Sequence, residues 1–74
     1  MIHIVYVQGY DENNEVGIDF NQQKGFFYSY ADATAFAFGK HFKVPENVPH
    51  ACIFIEKRNK SGMLVDLIKV RNIK

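Results

Sequence analysis

His50 and Cys52 stand two residues apart in the stretch HACIFIEK, residues 50–57. On an extended chain that spacing puts both side chains on one face, where an imidazole and a thiolate supply two of the four ligands of a structural zinc site. His3 and His41 are the other soft ligands, and neither belongs to a second pair at ligand spacing. Read instead as nucleophile and base, the pair needs a partly exposed thiol in an electropositive setting, whereas Cys52 lies in an apolar run. The acidic stretch DENNEVG (11–17) has the residue types of a calcium loop. Its glycine falls one place late, and the twelfth position holds Gln22 where a bidentate Glu is required. Ser29 suits a helix start and Ser61 a turn, so neither fits a nucleophile elbow. No glycine-rich phosphate loop is present. These residues predict a non-catalytic chain with no cofactor and no metal.

Seven of the eleven aromatic side chains fall between Phe26 and Phe42, which raises a different chemistry. The segment KGFFYSY (24–30) resembles the aromatic signature of RNA-recognition and cold-shock folds: Lys24, Gly25 and Phe26 match it, and Tyr28 stands at an aromatic position. The resemblance implies that Phe26 and Tyr28 stack on the bases of a single strand, with Lys24 and the hairpin cations Lys57, Arg58 and Lys60 near its phosphates. Phe27 departs from a Gly or Ala position and Ser29 from an apolar one. RNA-recognition domains need two helices and cold-shock domains essentially none, and a stacking platform also needs a basic groove. Lys69, Arg71 and Lys74 lie ~30 Å along the strand from the cations of the hairpin tip, beyond the reach of their fields at physiological salt.

The elements that position these groups follow from the apolar pattern. Residues 2–7, IHIVYV, read as a strand apolar on both faces, and DENN supplies turn chemistry. EVGIDF (15–20) alternates as a strand with one wet face, NQQKG reads as a polar connection, and FFY as a short extended piece. Ser29, with Asp32 three residues on, forms a short-armed capping box for a helix over 30–42 that ends near Lys40, His41 and Lys43. At ~100° per residue Ala31, Ala35, Phe38 and Phe42 make the buried stripe, which leaves Ala33, Phe36, Ala37 and Lys40 on the outer flank. Residues 50–57 read as a second strand apolar on both faces, RNKSG as a turn, and 63–71 as the strand that closes a hairpin. A helix through Leu64, Leu67 and Ile68 is the rival for that last segment. The predicted fold is α+β, ββαββ: a four-stranded, mainly antiparallel sheet with one helix packed on one face.

Seventy-four residues with no break in composition make a single domain, 1–74. One cysteine excludes an internal disulfide, and the first residues carry no secretory leader, so a reducing, cytoplasmic setting is predicted. No stretch approaches the ~18 apolar residues of a membrane span. The net charge of +1 divides unevenly: residues 1–37 carry −4 and residues 38–74 carry +5, an asymmetry that can steer self-association or hold a polyanion.

One helix covers one face of a four-stranded sheet, yet three strands look apolar on both. Contiguous apolar surface of that extent marks an interaction site unless loops 21–28 and 43–49 fold across it. The expectation is therefore a small interaction module that binds and regulates or inhibits another protein, working as a homodimer, with Ala33, Phe36, Ala37 and Lys40 as its contact residues. The alternative is a single-stranded nucleic-acid binder using Lys24, Phe26, Tyr28, Lys57, Arg58 and Lys60.

Overall fold

β-Branched and aromatic residues dominate both ends of the chain, and these ends form the centre and one margin of a single sheet. The computed structural model describes residues 1–18 and 20–74. Its elements are β1 (Ile2–Tyr10), β2 (Asn21–Phe27), α1 (Tyr30–Gly39), β3 (His50–Arg58) and β4 (Leu64–Asn72). All neighbours are antiparallel, in the order β2-β1-β3-β4. The element order and architecture are those the sequence predicts, and residues 64–72 are strand, not helix.

The ladder between β1 and β3 runs without a break from Ile2–Arg58 to Tyr10–His50. Because paired residues share a face, Val5–Ile55, Val7–Ile53 and Gly9–Ala51 point to one side, and all six are buried. Ala33 and Ala37 of α1, both with no exposed surface, close over this side together with Val48 and the half-buried Phe42 and Val44 of the segment after the helix. The 43–49 segment thus adds to the cover of the face that the helix already shields, not of the opposite face, which it was a candidate to cross. The 21–28 segment does not cross it, because most of it is β2.

Two expectations about local structure are corrected. Residues 15–18 are not strand: the Asp11 carboxylate accepts the backbone N–H of Asn13 and of Glu15, both at 2.9 Å, and folds the chain into a turn with Asn14 at φ 61°. Asp19 lies outside the described residues. The partner of β1 is instead Asn21–Phe27, whose polar first half tolerates water because β2 is an edge strand.

The helix begins as predicted, with Ser29 Oγ accepting the Asp32 N–H at 3.3 Å. It ends three residues earlier than predicted and turns the opposite flank inward. Ala31 and Ala35 are exposed and Phe38 is 62% exposed, whereas Ala33 and Ala37 are buried and Phe36 packs on Phe27 and Phe42 at ring distances of 5.1 and 5.7 Å. The cause is physical. Apolar residues surround this short helix, so spacing selects no unique face, and the two-residue link from Phe27 to Tyr30 leaves little freedom to rotate it. Phe42 is half-buried against the core as expected, but from the extended segment rather than from the helix.

The positive charge at the helix C-terminus comes from another element. Arg71 Nη2 on β4 donates to the carbonyls of Ala37 and Lys40 at 3.2 and 3.3 Å, and its guanidinium lies 5.8 Å from the Phe38 ring centre. The β3–β4 turn is held by Asn59 Oδ1, which accepts from the N–H groups of Ser61 and Met63, with Gly62 at φ +86°, where glycine is favoured. On the edge strand β4, the Leu67 N–H donates to the Asp66 carboxylate at 2.8 Å, and two bulges interrupt the ladder to β3.

Gly25 sits where the rings of Phe27 and Phe36 cross the sheet: a Cβ there would lie 2.6 Å from Phe27 and 2.9 Å from Phe36. Gly25→Ala is expected to lower the unfolding free energy by about 1–3 kcal/mol through overpacking, read as a lower urea midpoint at unchanged slope. Arg71→Leu, which removes the charged donor from the helix carbonyls, is expected to cost about 1–2 kcal/mol. An unchanged midpoint in either variant contradicts the packing described.

Candidate interaction surface

The second face of the sheet has no layer over it. Alternation along β1 sends Ile2, Ile4, Tyr6, Gln8 and Tyr10 to this side, and all are only partly buried. Their cross-strand partners identify the rest of the face. Phe54 stands opposite Tyr6, Phe26 and Glu56 flank Ile4, and on β4 Leu67 is opposite Glu56, Lys69 opposite Phe54 and Leu64 opposite Arg58.

Rings occupy the middle of the face. Tyr6 and Phe54 stack at 5.7 Å with an interplanar angle of 18°, and Phe26 meets Tyr28 edge to face at 5.5 Å. Phe26 is 48% exposed and Tyr28 is 78% exposed. Leu64 and Leu67, each about half exposed, add to this face along the β4 margin. Of the charged groups, Arg58 pairs with Glu56 at 3.3 Å and spends a further donor on the Gly62 carbonyl at 2.8 Å, and Lys69 stands opposite Phe54. This is an aromatic and aliphatic surface that carries one ion pair and one further cation.

The residues expected to touch a partner lie elsewhere. Ala33 and Ala37 are sealed between α1 and the sheet and Phe36 is half-buried among rings, so of that set only Lys40 is exposed, its ammonium 5.8 Å from the Phe36 ring centre. Of the nucleic-acid set, Phe26 and Tyr28 do come together. The cations are not gathered beside them. Lys57 pairs with buried His3 and with Asp66 on the covered side, and Lys24, at the β1–β2 bulge, bonds Gln22 at 2.7 Å. Arg58 is held by Glu56, and Lys60 sits at the hairpin tip. Cys52 donates to Asn72 Oδ1 at 2.9 Å, and among the described residues no three His, Cys, Asp or Glu side chains stand close enough to hold a metal ion. The face residues that the sequence reading left unassigned, Ile4, Tyr6, Leu64 and Leu67, had one available signal, the apolar character of the strands on both faces.

Tyr6 and Tyr10 are held above the ordinary tyrosine range. For Tyr6 the main cause is burial, followed by the nearby Glu56 carboxylate and Tyr10, with Arg58 acting in the opposite direction. For Tyr10 it is burial, followed by Cys52. A raised folded value means that the unfolded chain ionises first, so this contribution is complete below pH ~10 and is lost as the pH rises from there toward the folded values. Thermal unfolding is therefore expected to show stability falling above pH ~10, with a shallower fall in Tyr6→Phe; equal slopes for the two proteins contradict the assigned surroundings.

Compared with known protein families, with curated proteins and with solved structures, the chain matches none of them.

Proposed function

We propose that this chain is a non-catalytic interaction module that docks on protein through the uncovered face of its sheet, and that its first partner is a second copy of itself. The observation that carries the reading is the ring-and-aliphatic surface around Tyr6, Phe54, Phe26 and Leu67. Water gains when such a surface is covered, at about 25 cal/mol per Å² of apolar area. The molecule is flat, 35 × 25 × 14 Å, so its broad face offers on the order of 800 Å², the share each partner contributes to a standard-size interface. Aromatic anchors in the centre and polar groups at the margin are the usual layout of such interfaces. The β4 edge is less suited to association, since the Leu67 N–H is already bonded and bulges interrupt the strand. Regulation or inhibition of a target follows if the same face is exchanged between copies and a target protein. A cytoplasmic setting suits a single buried thiol without a disulfide partner; no helix is long and apolar enough to cross a membrane.

Exposed Phe26 and Tyr28, packed edge to face beside the Tyr6–Phe54 stack, favour one second reading, a platform for single-stranded nucleic acid. The two readings differ in salt dependence, because phosphate binding releases counterions and apolar docking does not. Sedimentation equilibrium is expected to give a dimer in the micromolar range whose dissociation constant changes little between about 50 and 500 mM salt. Phe26→Ser with Leu67→Glu, both exposed positions, is expected to weaken it by at least tenfold while circular dichroism stays unchanged. A wild-type monomer at millimolar concentration that also fails to bind an apolar dye defeats the docking reading, and salt-sensitive capture of an oligonucleotide replaces it with the second.

A further inference from the structure

Where β1 ends and β3 begins, the uncovered face dips into an open depression of about 410 Å³, and its lining differs from the rest of the surface. Tyr10 and His50, a cross-strand pair, line one part, and Lys69, Asn72 and Lys74 from the C-terminal end of the chain line another. Among the described residues no Asp or Glu side chain belongs to the lining. Asn14 is the contribution of the acidic loop; the Asp11 carboxylate of that loop is already occupied by backbone N–H groups. The other depression, beside Lys24 and Lys43, includes Glu46 and is electrically mixed.

The donors around the first depression are largely unspent. The Lys69 ammonium, the His50 ring, the Tyr10 hydroxyl and the Asn72 amide nitrogen make no hydrogen bond among the described residues. Cys52, also in the lining, donates to Asn72 Oδ1, and this fixes the amide with its acceptor occupied and its donor end unpaired. Lys74 shares its ammonium with the Pro45 carbonyl at 2.9 Å and keeps its charge nearby. The Tyr10 phenol, protonated at neutral pH as any tyrosine is and pushed further up by burial, is a donor. Four donor groups and two positive charges, with no acidic side chain of the described residues among them, are the complement of a negatively charged oxygen cluster.

We propose that this depression binds a small molecule through an oxyanion, a phosphate or a carboxylate group, held by Lys69, Asn72, His50 and Tyr10. The proposal does not rest on the docking reading, since it concerns the end of the sheet and a different kind of partner. The test is a two-dimensional NMR titration of the full-length ¹⁵N-labelled chain at constant ionic strength, with inorganic phosphate in one arm and acetate in the other. Saturable shifts confined to the amides of Tyr10, His50, Cys52, Lys69 and Asn72 support the site, and the arm that saturates at lower concentration identifies the headgroup. Lys69→Gln, an exposed position, is expected to weaken that binding about tenfold, the usual loss for a charge-assisted hydrogen bond. Asn72→Asp, which puts a carboxylate in the lining, is expected to abolish it. No shifts, shifts that rise linearly and include the remote Lys40, Lys43 and Lys60, or equal affinity in both variants would each overturn the proposal.

Discussion

Val5 and Val7, lying directly across from Ile55 and Ile53, are the patch on which the other elements rest. Each such fully buried side chain contributes about 1.5–3 kcal/mol, and the β1–β3 ladder that aligns them is the one ladder in the sheet without a register shift. The helix meets this patch through alanines, whose small side chains let it lie close, and Arg71 joins the helix end to the last strand. The flanking strands absorb the irregularity: β2 bulges against Val5 and Tyr6, and β4 bulges twice against β3.

A ten-residue helix is about 15 Å long, and it packs mainly on β1 and β2, with Arg71 of β4 reaching its C-terminal end. The segment that follows it supplies Phe42, Val44 and Val48 to the cover of the same face. Nothing remains in the described chain for the opposite face. Its rings therefore pack on one another, Tyr6 on Phe54 and Phe26 on Tyr28, which hides part of their area and leaves the remainder in water. The outer surface is thus a consequence of how little chain is available to form a second layer.

Strong local signals carried most of the architecture. The continuous apolar runs at 2–7, 50–57 and 63–71 fell within a few residues of β1, β3 and β4, and the Ser29–Asp32 start of the helix was readable because a capping hydroxyl has one local job. Two features were not legible. The alternation in EVGIDF looked like a strand, but the Asp11 carboxylate binds two backbone N–H groups and makes a turn; NQQKGFF has little strand character and is a strand only because β1 offers it an edge. The helix face was equally hidden, because alanine and phenylalanine occur around its whole circumference and the choice between them is made by the link to β2 and by the rings over Gly25. The expected contact set therefore fell on the inner side of the helix. The general inference, that this sheet has more apolar surface than its cover, did not depend on that choice.

The bonded Leu67 N–H has a consequence for growth. Strands that add edge to edge expose a fresh edge at every step and can extend into fibres without limit, whereas two flat faces related by a twofold axis consume each other and stop. By occupying a backbone donor of this edge strand from within the chain, Asp66 removes one of the hydrogen bonds that edge-to-edge growth along β4 would need.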